Sequence, residues 1–263
     1  MSTSEGACDE EDDNPSDLAP NVELSPVQYA HLSPGSNKKV QTAIPYFEVW
    51  DEQEGVTLTV SFKELSNRVH QAAEFLQQAG GLRAGDRCAF LSHNTIAYVY
   101  ASLGAQELGA ISVNLSWRQP DDVNLTLLKE LGPTQGAKLL LVSKPYAEVA
   151  KRAQCEVPGI GTLLFESYSQ VCARLLRSGA RPPPSDGGTP GPTPALLFFT
   201  GGSTGLPKSL AHTHASALAM TKGYLDEHGA PLDPDLEERA GSVCFTPYFH
   251  VMGYPPHTPR PLG

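Results

Sequence analysis

From Ser61 to about Ser178, short apolar runs alternate with helix-length segments. That alternation points to a layered α/β fold built on a parallel sheet. The segment SFKELSNRVHQAAEFLQQAGG spaces Phe62, Leu65, Val69, Ala72 and Leu76 by three and four, which lines one face of a helix. Ser61 and Glu64 fit a capping box at its start, and Gly80-Gly81 stops it. RCAFLS predicts a strand around Cys88 to Leu91, and a helix follows through TIAYVYASLGAQELG. ISVNL predicts another strand from Ile111, then a helix near Pro120 whose acids Asp121 and Asp122 suit a helix N-terminus. AKLLLVS, from Ala137, is a third strand with the continuous apolar run expected of burial on both faces. SYSQVCARLLRSG, from Ser167, predicts a further helix.

The pattern breaks at residues 179–194, GARPPPSDGGTPGPTP, where Pro and Gly replace periodicity. This stretch reads as an exposed connector between an N-terminal α/β subdomain, 45–178, and a partial α/β unit, 195–254. In the second unit Ala195 to Phe199 predicts a buried strand, HASALAMTKGYLDEHG from His214 a helix, and SVCFTPYFHVMG from Ser242 a strand running into a polar-aromatic loop. Residues 255–263 form an irregular, proline-rich end. Residues 1–44 read as an acidic disordered tail and leader: Glu5, Asp9, Glu10, Glu11, Asp12, Asp13 and Asp17 face no Lys or Arg in the first twenty positions.

The formal net charge of -10 argues against nucleic acid or an anionic membrane as a non-specific partner, while leaving room for a local anion pocket. No apolar run has membrane-spanning length, and the five cysteines lack CxxC pairing or metal-ligand spacing. A cytoplasmic, reducing setting and the absence of a protein metal site are the expectations.

The predicted strand 195–199 passes directly into Thr200-Gly201-Gly202-Ser203-Thr204-Gly205-Leu206-Pro207-Lys208-Ser209. Glycines let the main chain approach a ligand and turn N–H groups toward it. Ser203, Thr204 and Ser209 add hydroxyls, Lys208 adds a cation, and the positive end of a following helix would reinforce them. The spacing fits neither the Walker pattern nor GxGxxG. On composition alone, a structural turn explains the stretch as well as a phosphate loop does.

The longer string FFTGGSTGLPKSLAHTH resembles the signature loop of the adenylate-forming superfamily, which includes acyl-CoA synthetases, aryl-CoA ligases, luciferases and peptide-synthetase adenylation domains. Phe199 to Ser209 occupy its aromatic, Thr, small, Gly, hydroxyl, Thr, Gly, variable, Pro, Lys and Gly places, and Thr213-His214 its terminal Ser/Thr-His. The stretch from Leu58 to Ser143 is similar to the N-terminal subdomain of that family. TPYFHVMGY resembles a segment bordering the acyl pocket, which would set Phe249, His250 and Gly253 near the carboxylate substrate. The resemblance covers about residues 45 to 254.

What the resemblance implies is a two-step ligase using ATP, Mg2+ and coenzyme A. A carboxylic acid, fatty or aryl, would attack the α-phosphorus of ATP, and a thiol would then displace AMP. Thr200, Gly201, Gly202, Ser203, Thr204, Gly205 and Lys208 would hold the phosphates, with Lys208 and His250 as the catalytic residues and His214 as a structural support of the loop. Two departures stand out: Ser209 replaces the usual Gly, and the family's adenine, ribose, hinge and C-terminal lysine segments have no counterpart before Gly263. The expected fold is therefore the truncated N-terminal part of the adenylate-forming enzyme fold, its chemistry incomplete. A fold cut there would expose surface for a protein partner. The alternative is a non-catalytic relative that binds nucleotide weakly or another protein.

Overall fold

The computed structural model describes residues 45–51, 56–131, 137–165, 193–201, 205–217, 219–220 and 246–253. Strands β1 (Pro45–Asp51) and β2 (Val56–Ser61) pair antiparallel as a separate ribbon. Helix α1 (Phe62–Gly80) opens directly from β2. Leu65, Val69, Ala72 and Leu76 are all buried, as their spacing predicts. The helix stops where Gly80-Gly81 was expected to stop it, and Leu82 N–H closes back on the Leu76 carbonyl.

The main sheet contains β3 (Arg87–Leu91), β4 (Ile111–Asn114), β5 (Ala137–Val142), β6 (Gly161–Leu164), β7 (Pro194–Thr200) and β8 (Lys208–Thr213). Its order is β6-β5-β3-β4-β7-β8, parallel throughout except for the antiparallel pair β7 and β8. Helices α2 (Ile96–Glu107), α3 (Asp121–Glu130) and α4 (Ala147–Glu156) connect β3 to β4, β4 to β5 and β5 to β6. The result is a mixed α/β fold with a predominantly parallel sheet.

Alternate side chains of each strand serve different faces. Cys88, Phe90, Leu139, Leu141, Leu196 and Phe198 pack with α1 and α2, while Ala89, Leu91, Leu140, Val142 and Leu197 pack with α3 and α4. This double burial explains the continuous apolar runs; in β5 only Lys138 reaches solvent. α2 is apolar nearly all round because it lies inside, with every residue from Tyr98 to Gln106 buried. Thr95 caps its start by accepting from Tyr98 N–H.

Polar atoms inside this core are tied across elements. The Tyr98 hydroxyl donates to Asn114 Oδ1 at 2.6 Å, and Asn114 Nδ2 donates to the Leu197 carbonyl at 3.1 Å, joining α2, β4 and β7. The helix predicted from Ser167 and most of the connector, residues 179–192, lie outside the described residues, as do the tail and leader 1–44 and the end 255–263.

α1 and α2 approach closely at Gly104. A Cβ there would lie 2.6 Å from Ala72 Cβ and 2.7 Å from Ala73 N, and the second atom is backbone that cannot swing away. Replacing Gly104 with Ala should therefore separate the helices and cost about 1–3 kcal/mol of stability. A lower urea midpoint with an unchanged slope would register this, and an unchanged midpoint would contradict the close packing.

Candidate functional site at the carboxyl edge of the sheet

The helix after β3 covers one face of the sheet and the helix after β4 covers the other. Neighbouring strands that send the chain to opposite faces leave a crevice beyond their carboxyl ends, where ligands of open α/β sheets bind. Ser92, His93 and Asn94 leave β3 here, and Ser116, Trp117 and Arg118 leave β4. His93 meets the edge of Trp117 at a centroid distance of 4.5 Å, and its Nε2 lies 3.0 Å from the Tyr146 hydroxyl. Arg118 sits 5.0 Å above the Trp117 ring. Burial, with a smaller contribution from the charge of Asp121, raises the pKa of Tyr146 and keeps its hydroxyl protonated.

β7 delivers the glycine-rich loop to the same edge. Thr200 pairs with Lys208, and the Thr200 hydroxyl donates to the Lys208 carbonyl at 3.4 Å, so β7 and β8 are paired as a hairpin up to this edge. Gly201, Gly205 and Lys208 are exposed, and a Cβ on either glycine would meet nothing within 4 Å. Open backbone beside an exposed ammonium fits an anionic ligand. Gly202, Ser203 and Thr204 lie outside the described residues.

The structure changes one expectation about this loop. A helix does begin at His214, but β8 intervenes between it and the loop, so its positive end is a strand length away. Helix-dipole effects fade within the first turn and do not reach the loop from there. The strand was missed because KSLAHT has no apolar stripe and its first four residues are exposed.

His250 arrives from far along the chain. Asn94 Nδ2 donates to the Thr246 carbonyl at 3.0 Å, and Asn94 Oδ1 accepts from Tyr248 N–H at 2.8 Å. Tyr248 packs on Tyr98, and Phe249 meets Trp117 edge-on at 6.0 Å. His250 is exposed beyond them. The expected strand from Ser242 is outside the described residues up to Phe245, and residues 246–253 form turns ending in a short 3-10 helix, Val251–Gly253. A Cβ on Gly253 would collide with both the Thr246 and Pro247 carbonyl oxygens, so this turn packs against its own backbone.

The segment carrying Phe249 and His250 is thus anchored at the ends of β3 and β4, while Thr200 and Lys208 stand at the end of β7. β4 separates β3 from β7, a lateral span of two strand spacings, or about 10 Å. Asn94, His93, Trp117 and Tyr146 were not singled out from sequence. Their position just past the predicted strands was the available signal, since those are the positions that line such a crevice.

Residues 39–258 match the family described as AMP-binding enzyme. The chain belongs to the AMP-binding enzyme family. It is 30% identical over 194 residues to a long-chain-fatty-acid–CoA ligase of Mycobacterium tuberculosis, covering 73% of this chain and 36% of that protein. A fatty acid–[acyl-carrier-protein] ligase of Streptomyces coeruleorubidus is 29% identical, with 76% and 36% covered. The chain therefore spans about a third of the length of these curated relatives. Among solved structures, the ATP-bound MatB from Rhodopseudomonas palustris superposes with a TM-score of 0.63 at 17% identity, covering 88% of this chain and 42% of that one. The Bacillus subtilis o-succinylbenzoate CoA synthetase, in complex with its acyl-adenylate intermediate, gives 0.59 at 22% identity, covering 75% and 46%. These neighbours establish the fold of the N-terminal part of adenylate-forming enzymes.

Two histidines of this member of the AMP-binding enzyme family flank the hairpin. His212 packs edge-on against Phe198, and His214 is 2% exposed with neither ring nitrogen hydrogen-bonded. Burial lowers the pKa of His214, so the folded state holds it neutral. The unfolded chain binds a proton there at about pH 6.5, and the folded chain only at lower pH. Stability should therefore fall as pH drops from about 6.5 through the lowered folded value. His214→Leu should flatten this part of the pH profile, and an unchanged profile would mean that the ring binds its proton equally in the folded and unfolded chain.

Proposed function

We propose that the chain supplies the phosphate-holding loop and the acid-side wall of an ATP-dependent carboxylate-activating ligase. One observation carries the reading: the hairpin closed by Thr200 and Lys208 shares the carboxyl edge of the sheet with the anchored segment that presents His250. In the reaction, a carboxylate oxygen bonds to the α-phosphorus of ATP and pyrophosphate leaves. A thiol then attacks the acyl carbon and AMP departs.

In this reading Thr200, Gly201, Gly202, Ser203, Thr204 and Gly205 direct backbone and hydroxyl donors at the phosphate oxygens. Lys208 offsets the charge that grows on the leaving pyrophosphate. His250 borders the carboxylate and orients it. Mg2+ travels with the nucleotide phosphates. Fatty and aryl acids are the substrate class, following the relatives that act on long-chain fatty acids and on 4-coumarate. Coenzyme A or a carrier-protein thiol is the acceptor, and the cytoplasm, where ATP and reduced thiols coexist, is the setting. No helix of the described residues is long and apolar enough to cross a membrane.

The span of about a third of the relatives' length favours a second reading, in which these 263 residues alone hold nucleotide without turnover. Acid-dependent exchange of pyrophosphate into ATP separates the two. Exchange is expected when the chain is carried at family length and little or none when it stands alone, because an incompletely surrounded α-phosphate is poorly aligned for attack. In the exchanging form, Lys208→Ala should slow exchange by roughly a hundredfold. A Lys208→Ala rate equal to that of the unaltered protein would remove the phosphate role from this residue, and no exchange with any fatty or aryl acid at family length would refute the ligase reading.

A further inference from the structure

We propose that Asn94 is a positioning residue for the carboxylate end of the site, an inference that rests on the ligase reading above. Asn94 is exposed, lies at the mouth of β3, and bonds to the backbone of Thr246 and Tyr248. Its side-chain amide behaves as a displaced peptide unit. The carbonyl side accepts from Tyr248 N–H and the NH2 side donates to the Thr246 carbonyl, across sequence separations of 154 and 152 residues. The partners fix which way the amide faces, because a backbone N–H only donates and a carbonyl only accepts.

One hydrogen bond would leave the partner segment free to swing about it. Two bonds of opposite polarity, two residues apart, fix both its register and its orientation. What they grip is itself compact: His250 N–H bonds the Pro247 carbonyl at 2.9 Å, Gly253 N–H bonds the His250 carbonyl at 2.8 Å, and Gly253 packs against the carbonyls of Thr246 and Pro247. The segment therefore moves as a unit, and Asn94 determines where that unit, with Phe249 and His250, stands above the ends of β3 and β4. The Phe249 contact with Trp117 supports it from the other strand.

The geometry discriminates between substitutions. Asn94→Asp keeps the acceptor for Tyr248 but sets a carboxylate oxygen against the Thr246 carbonyl, so it should fail as Asn94→Leu does, although one removes both hydrogen-bonding functions and the other only one. Amide exchange on the 263-residue chain reads the grip without any need for catalysis. In both variants the amides of Tyr248, His250 and Gly253 should exchange faster together, while those of β3 and β5 keep their protection. At family length, pyrophosphate exchange should show the apparent KM for the acid raised ten- to hundredfold with that for ATP unchanged, as expected when one reactant is misplaced.

Unchanged amides in the variants would overturn the proposal. So would loosened amides with an unaltered KM for the acid, which would make Asn94 a structural residue only, or an equal rise in both KM values. An unaltered protein that never exchanges pyrophosphate would refute the ligase reading and with it the acid-side role, while the amide data would still decide whether Asn94 holds the segment.

Discussion

The structure depends on covering both faces of β3 at once. A parallel strand has backbone partners on both edges and apolar side chains on both faces, so it is stable only between two helical layers. Right-handed crossovers can supply both layers only if the chain leaves β3 toward one face and β4 toward the other. The crevice at the carboxyl edge follows from that reversal. The loop after β7, the aromatic group around Trp117 and the anchored segment at Thr246 all lie at this edge.

The buried hydrogen bonds make the edge stiff. Asn114 is 1% exposed and connects the hydroxyl of Tyr98 to the carbonyl of Leu197, so the strand leading to the loop is tied to the helix packed beneath it. Buried polar groups without such partners are costly, which specifies one arrangement over its neighbours. Gly104 has a related effect at the α1 and α2 contact, where the missing side chain allows two backbones to meet.

Much of the fold was legible because burial imposes periodicity. α1, α2, α3, β3, β4, β5 and β7 carry apolar residues at helical spacing or in continuous runs, and all were expected close to where they form. β6 is short, and α4 packs through Val149, Ala150 and Ala153, two of which are too small to make a strong stripe. β1 and β2 pair as a ribbon separate from the main sheet, and VTLTVS of β2 alternates where a main-sheet strand such as β7 runs continuously apolar. At the candidate site, the glycine-rich sequence stands out because its residue types lie side by side. The Asn94 grip does not, because its halves are more than 150 positions apart and it holds backbone atoms of Thr246 and Tyr248, which no side-chain pattern marks.

The pairing of Thr200 with Lys208 makes the reach of the loop independent of the direction of its cation. Along a strand, side chains alternate between faces, so the side on which Lys208 emerges is set by the parity of its position in β8. Residues can be gained or lost between Thr200 and Lys208 while that ladder stays in register, changing the length of the connection and leaving the ammonium where it was. A shift of one residue within β8 would do the opposite, keeping the length of the connection and turning the charge to the other side of the sheet. The length of the connection and the face on which its lysine emerges are thus two separately adjustable features of this edge.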